Sequence, residues 1–216
     1  MRQIVLDTET TGLEVEEGHR LIEIGCIEMV NRRFTNRHFH FYVNPDHAVD
    51  LGAMKVHGIT NEFLKDKPRF ANIADALLNF IANAELIIHN AEFDLGFLTA
   101  EFTRLKIKWK PSSVIDTLSL ARNLHPGQKN SLDILCKRYG VDNTQRDLHG
   151  ALLDAKLLAS VYLQMTSGQT QLFDESSVKV TTVLQDHSTK SVFFDDLPVI
   201  APTEEELAAH KTATME

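Results

Sequence analysis

Near its N-terminus the chain reads Val5-Leu6-Asp7-Thr8-Glu9-Thr10-Thr11-Gly12, an apolar strand that delivers two carboxylates at positions i and i+2 and then stops at a glycine. Alternate residues of a strand project to one face, so Asp7 and Glu9 are expected side by side, their Cα atoms about 7 Å apart. Carboxylates this close repel each other unless a cation or a shared proton offsets the charge. Hard divalent ions with oxygen ligands are the natural guests. An isolated D-x-E is also a common way for a strand to enter a polar turn, so the rest of the chain decides its meaning.

Working outward, residues 3–7 form the expected first strand, Arg20 to Val30 a second with apolar alternation, and His38 to Val43 a third ending at Asn44-Pro45. The short connections between them favour an antiparallel meander. The character then changes. Ile73, Leu77, Phe80 and Ile81 recur with helical period, and Leu86-Ile87-Ile88 reads as a short strand. Leu95, Leu98, Phe102 and Leu105 mark another helix, Ser113 to Ile115 a last strand, and Ser131 to Tyr139 and Gly150 to Met165 two further helices. Three antiparallel strands followed by helices alternating with two more strands describe a mixed five-stranded α/β sheet flanked by helices.

The 216 residues suffice for one well-buried domain and an appendage. No apolar run approaches the roughly 20 residues of a membrane span. The N-terminus has one Arg and then a strand, without a signal-peptide layout. Cys26 and Cys136 lie far apart in apolar segments and make neither a metal spacing nor a disulfide framework. A reducing cytoplasm is the expected compartment. The net charge of −8 argues against strong unaided grip on nucleic acid, because phosphate contacts supply most non-specific affinity. Bound metal ions and a partner that delivers the substrate would remove that objection.

A two-ion site needs more acidic ligands, placed at element ends where a cleft can form. Asp94 follows the strand Leu86 to Ile88 through His89-Asn90-Ala91-Glu92-Phe93, at the expected start of the next helix. Strand carboxyl ends are where α/β sheets place ligand sites. Asp154 sits in the otherwise apolar helix Leu152-Leu153-Asp154-Ala155-Lys156-Leu157-Leu158, and it demands a cation if it points at the sheet. His149 precedes it by five positions, about 140° away on an ideal helix. His149 is therefore expected in the loop or first turn, where it can swing over a site that Asp154 anchors.

Taken together, Asp7-Thr8-Glu9-Thr10-Thr11-Gly12, His89-Asn90-Ala91-Glu92-Phe93-Asp94 and His149-Gly150-Ala151-Leu152-Leu153-Asp154 resemble the ordered motifs of the DEDDh 3′-to-5′ exonucleases, whose fold is RNase H-like. Within that family the first 168 residues are most similar to the proofreading subunits of bacterial replicative polymerases, through Val56-His57-Gly58-Ile59-Thr60, Asn130-Ser131-Leu132-Asp133 and Leu148 to Ala155. The resemblance implies removal of mismatched nucleotides from a DNA 3′ end with two divalent ions, Mg²⁺ or Mn²⁺. It makes Asp7, Glu9, Asp94 and Asp154 the ion ligands, with Asp7 shared by both ions, and His149 the general base. It also places His57 against the terminal nucleotide, gives Thr10 and Gly12 the sugar and base pocket, and offers Phe93 as a wedge or packing partner for a base. Position 52, often acidic in the family, is Gly52 here.

Past Ser167-Gly168 the periodicity ends, and residues 1–168 are taken as the catalytic domain. Gln169-Thr170-Gln171-Leu172-Phe173 resembles the peptide by which bacterial replication proteins dock into the sliding clamp, with Gln169, Leu172 and Phe173 as its anchors. Residues 174–216 are expected to be a flexible linker and tail. Thr203-Glu204-Glu205-Glu206 has capping-box form before Leu207-Ala208-Ala209. Phe193 to Glu216 corresponds in position to the segment that holds the catalytic alpha subunit of the polymerase. The expected assembly is a monomer within a hetero-oligomer of polymerase, clamp and a small accessory subunit, away from membranes.

Two other enzymes share these carboxylates: a ribonuclease that trims or degrades small RNAs, and a free-standing DNA-editing exonuclease. The clamp-like peptide and tail favour the replicative reading. A catalytically silent adaptor predicts a missing carboxylate or histidine, and all five positions are filled.

Overall fold

The computed structural model describes residues 1–146 and 148–171. Leu172, Phe173, the expected linker and the expected tail helix lie outside the described residues. Strands β1 (Arg2–Thr10), β2 (Leu21–Val30) and β3 (Arg33–Tyr42) form the expected antiparallel meander. Asn31 and Arg32, with φ of 50° and 62°, make the two-residue turn between β2 and β3. Positive φ at both central positions gives a turn whose twist matches that of the strands it joins. Strands β4 (Glu85–Ile88) and β5 (Ser113–Asp116) add in parallel, in the order β3-β2-β1-β4-β5. This is the mixed five-stranded sheet read from the sequence.

Between β3 and β4 the chain forms α1 (Leu51–His57), α2 (Asn61–Leu64) and α3 (Phe70–Ile81). Helix α4 (Ala91–Arg104) joins β4 to β5, and α5 (Thr117–Leu124), α6 (Leu132–Tyr139) and α7 (Ala151–Gln171) follow. Helix α7 thus continues beyond position 168. The alternation of β1 separates two cores. Ile4 and Leu6 pack with Ile24, Cys26, Leu86 and Ile88 against Ile73 and Leu77 of α3 and Leu98 and Phe102 of α4. Val5 packs with Ile27, Met29 and Ile87 against Leu135 and Cys136 of α6 and Ala155, Leu158 and Tyr162 of α7. Both cysteines are buried and free, one in each core. No helix among the described residues is long and apolar enough to cross a membrane.

The sheet differs from the sequence reading in extent. Strand β1 runs to Thr10, three residues beyond the expected strand end at position 7, so Asp7, Thr8 and Glu9 all lie within the ladder. Strand β3 begins at Arg33 rather than His38. As an edge strand exposed over most of its length, its first half carries no apolar alternation to announce it. Because β1, β4 and β5 are parallel, their carboxyl ends share one edge of the sheet. The chain departs from that edge at Thr10, His89 and Asp116, and there the acidic residues collect.

Candidate active site

Period-two alternation puts Asp7 and Glu9 on the Val5 face of β1, the face covered by α7. Across the ladder, Asp7 pairs with Gly25 and Glu9 with Glu23. Gly25 is what lets α7 in. A Cβ at that position would overlap the backbone of Ala151 and Leu152, so the first turn of α7 rests directly on β2. The same turn carries Asp154, whose N–H donates to the Gly150 carbonyl at 2.9 Å and whose carboxylate is 3% exposed. His149 precedes the helix, held by its N–H donating to the Val56 carbonyl at 3.1 Å, and its side chain is 44% exposed. One ligand atom each from Glu9, His149 and Asp154 falls within 4.8 Å of the others.

Asp94 arrives from the opposite face. Asn90 takes the left-handed conformation (φ 67°, ψ 56°) ahead of α4, and its N–H donates to Asp116 Oδ1 at 3.0 Å. That turn swings Asp94, in the first turn of α4, to β1, where the Thr8 hydroxyl donates to Asp94 Oδ1 at 2.7 Å. Thr10 donates to the Gly12 carbonyl at 2.6 Å and closes the strand end. A side chain at Gly12 would overlap the ring of His19, which itself lies 3.0 Å from Thr11 Oγ1.

Gathering four carboxylates has a measurable consequence. Burial, then the charges of Asp94, Glu9 and Asp154, hold Asp7 well above the ordinary carboxylate range. Burial, then Asp154, Glu23 and Asp94, push Glu9 up to about 8. Burial raises Asp94 to about 7 against the opposing hydrogen bond from Thr8. Such a cluster takes up protons at neutral pH unless cations replace them. Carboxylate oxygen donors with this excess of negative charge suit a divalent cation.

The sign of the pH effect follows. A carboxyl whose folded-state pKa is raised binds more protons folded than unfolded, so stability falls as pH rises from its unfolded to its folded pKa. For Glu9 that window runs from 4.5 to about 8. Burial lowers His57, His89 and His149, which opposes the trend below their ordinary value of 6.5. In chelator, the melting temperature is therefore expected to fall between pH 6.5 and 8 and to fall less in Glu9→Gln. Saturating Mn²⁺ should flatten the slope. A melting temperature that rises over this interval in chelator would contradict the charge assignment.

All the sequence-derived catalytic, ion-binding and substrate-binding candidates line one cavity of about 1050 Å³: Asp7, Glu9, Thr10, Gly12, His57, Phe93, Asp94, His149 and Asp154. Gly52 lines it as well. His57 is 6% exposed; its Nδ1 accepts from the Ile59 N–H at 2.9 Å, leaving Nε2 as a buried N–H without a hydrogen-bond partner among the described residues. A donor so placed suits a polar atom of a ligand. Phe93 is half-buried and leans on Phe97, ring centroids 5.0 Å apart. Of Gln169, Leu172 and Phe173, only Gln169 falls within a described element, α7.

Three cationic residues of this cavity carry no motif that singles them out: Arg122, Lys129 and Arg146. Arg146 enters the carboxylate cluster itself. Its Nη2 donates to Asp154 Oδ2 at 2.7 Å, its Nε donates to Asp154 Oδ1, and its Nη1 donates to Asp133 Oδ1 at 2.8 Å. In the sequence it is one arginine in a polar loop, three positions before His149, and only the closure of that loop onto α7 reveals its place.

Comparison with known proteins agrees with this geometry. The family model described as "Exonuclease" matches residues 4–162. The DNA polymerase III subunit epsilon of Pasteurella multocida is 50% identical over 218 residues, 97% of this chain and 86% of that protein. The Escherichia coli protein of the same name is 48% identical over 220 residues, 97% of this chain and 90% of that protein. Among solved structures, exonuclease X in complex with 5′ overhanging duplex DNA is 27% identical, with a TM-score of 0.62, covering 78% of this chain and 93% of its own.

Proposed function

The chain belongs to the exonuclease family and, within it, to the group of DNA polymerase III epsilon subunits, and we propose that it removes mismatched nucleotides from the 3′ end of DNA as the proofreading subunit of that polymerase. The observation that carries the reading is the convergence of Asp7, Glu9, Asp94 and Asp154, with His149 at the rim, at the carboxyl edge of the sheet. Asp7, Glu9, Asp94 and Asp154 hold two divalent ions, Mg²⁺ or Mn²⁺. When bound, these ions lower the pKa of a water and offset the charge on the leaving oxygen of a phosphodiester.

The protein's own groups do the rest. Burial and the neighbouring Arg146 lower the pKa of His149, so the ring is neutral near pH 7, the form in which a free ring nitrogen takes the proton of the attacking water. That water forms a bond to phosphorus, the bond from phosphorus to the 3′ oxygen of the preceding nucleotide breaks, and a nucleoside monophosphate leaves. The orphan N–H of His57 and the pocket around Thr10 and Gly12 hold the terminal nucleotide, with Phe93 against a base. Arg122 and Lys129 bring positive charge to the same cavity in a chain of net charge −8. A mismatched end costs less to unstack and thread into this pocket than a paired one, so selectivity follows from fraying.

Residues 169–173 dock on the sliding clamp and 174–216 on the alpha subunit of DNA polymerase III, with a small accessory subunit completing a cytoplasmic assembly. Tethering raises the effective concentration of the nuclease at a primer end without strong affinity of its own for DNA. The test is digestion of matched and 3′-mismatched DNA and RNA primers with Mn²⁺, alone and with polymerase and clamp. Faster release from the mismatched DNA is expected, and the partners should add to that rate only when 169–216 are present. A strong preference for RNA overturns the reading.

A further inference from the structure

The Arg146 side chain is the one cation seated among the carboxylates of the described site. It is 5% exposed, and both oxygens of Asp154, itself 3% exposed, accept from it. A third bond runs to Asp133, whose side chain is 49% exposed and whose Oδ1 also accepts from Asn143 Nδ2 at 3.0 Å. A fourth reaches the imidazole, where Arg146 Nη2 lies 3.1 Å from His149 Nδ1. A guanidinium only donates, so Nδ1 is the acceptor and the neutral ring carries its proton on Nε2. Neither ring nitrogen can then take a proton from water. One arginine thus occupies both the carboxylate that would bind an ion and the lone pair that would act as base.

Resting on the ion-binding reading above, we propose that Arg146 is a latch: it competes with a divalent ion for Asp154, and the ion that displaces it also frees His149. Asp133 is the partner that keeps the displaced guanidinium. At the rim of the cavity and anchored by Asn143, it continues to pair with Arg146 after Asp154 is released. Arg146 is a positioning residue in this scheme, and it couples the availability of the base to occupation of the site. Without such coupling, a neutral imidazole would stand ready over a site not yet loaded.

The test is Mn²⁺ affinity, by calorimetry, with melting temperature in chelator and in Mn²⁺ for the intact chain. Arg146→Gln should bind Mn²⁺ about ten-fold more tightly or better, since it loses a buried bidentate competitor. It should also melt lower in chelator and gain more on addition of Mn²⁺. Arg146→Lys keeps the charge and loses the fork, so it too should bind more tightly, by a smaller factor. Asp133→Asn should weaken binding in the wild-type background and change nothing in Arg146→Gln, a coupling that non-specific loss of structure would not produce. Arg146→Gln and Arg146→Lys proteins that bind Mn²⁺ no better than wild type, while Asp154→Asn binds less, would overturn the latch and leave the ion site standing. Absence of Mn²⁺ binding in wild type and every variant would overturn both.

Discussion

Asp7→Asn is expected to lose turnover by at least about 10³-fold and to lose Mn²⁺ binding with it, yet to melt at a higher temperature than wild type in chelator. The three outcomes have one cause. Burial raises the pKa of Asp7, and the charges of Asp94, Glu9 and Asp154 raise it further. A carboxylate in that position is a ligand when cations are present and a source of repulsion when they are not. An amide of the same shape relieves the repulsion and cannot replace the charge. His149→Ala should behave differently, losing about 10²–10⁴-fold in turnover while still binding Mn²⁺, because four carboxylates remain. Calorimetric titration beside single-turnover kinetics separates the two variants. Unchanged Mn²⁺ affinity in Asp7→Asn would remove the ion assignment, and undiminished turnover in His149→Ala would remove the base.

How much of this site was legible in the sequence depended on whether a residue's position followed from its own element. Asp7 and Glu9 were legible because strand alternation is local, and the apolar run before them fixes which element they end. The order of the motifs identified Asp94, His149 and Asp154. The five-position offset kept His149 off the Asp154 face of the helix, and α7 does begin at Ala151. Helices α1 and α2, at 7 and 4 residues, are too short for a helical period to stand out, and α5 was missed although at 8 residues it is no shorter than α6, which was read. Arg146 and Asn90 were illegible for another reason. What each does depends on a partner far away in the chain or across a loop, Asp154 and Asp133 for Arg146 and Asp116 for Asn90. Glu23 shows the same limit. It reads as one polar residue in an apolar strand, and only the β1–β2 register sets it opposite Glu9, with its Oε1 2.7 Å from His40 Nε2.

Gly25→Ala should be among the most damaging single-methyl changes in the protein, although Gly25 touches neither ion nor substrate. Its added Cβ meets backbone atoms of Ala151 and Leu152, which cannot rotate aside as a side-chain end can. Strand β2 cannot yield either, since it is paired on one side with β1 and on the other with β3. The first turn of α7 must therefore lift from the sheet, at a cost of about 1–3 kcal/mol for an overpacked interior. Asp154 and His149 move with it, while Asp7, Glu9 and Asp94 stay with β1 and α4. A displacement near 1 Å in such a constellation costs about 10²-fold in rate, so turnover and Mn²⁺ affinity should fall well beyond what the loss of stability explains at a temperature where the variant is folded. Gly96→Ala is the control. Its Cβ meets only Val15 Cγ2, at 3.8 Å, within helix α4, so it should be neutral or slightly stabilising. A Gly25→Ala protein with wild-type melting temperature and turnover would mean that α7 does not depend on this approach to place Asp154.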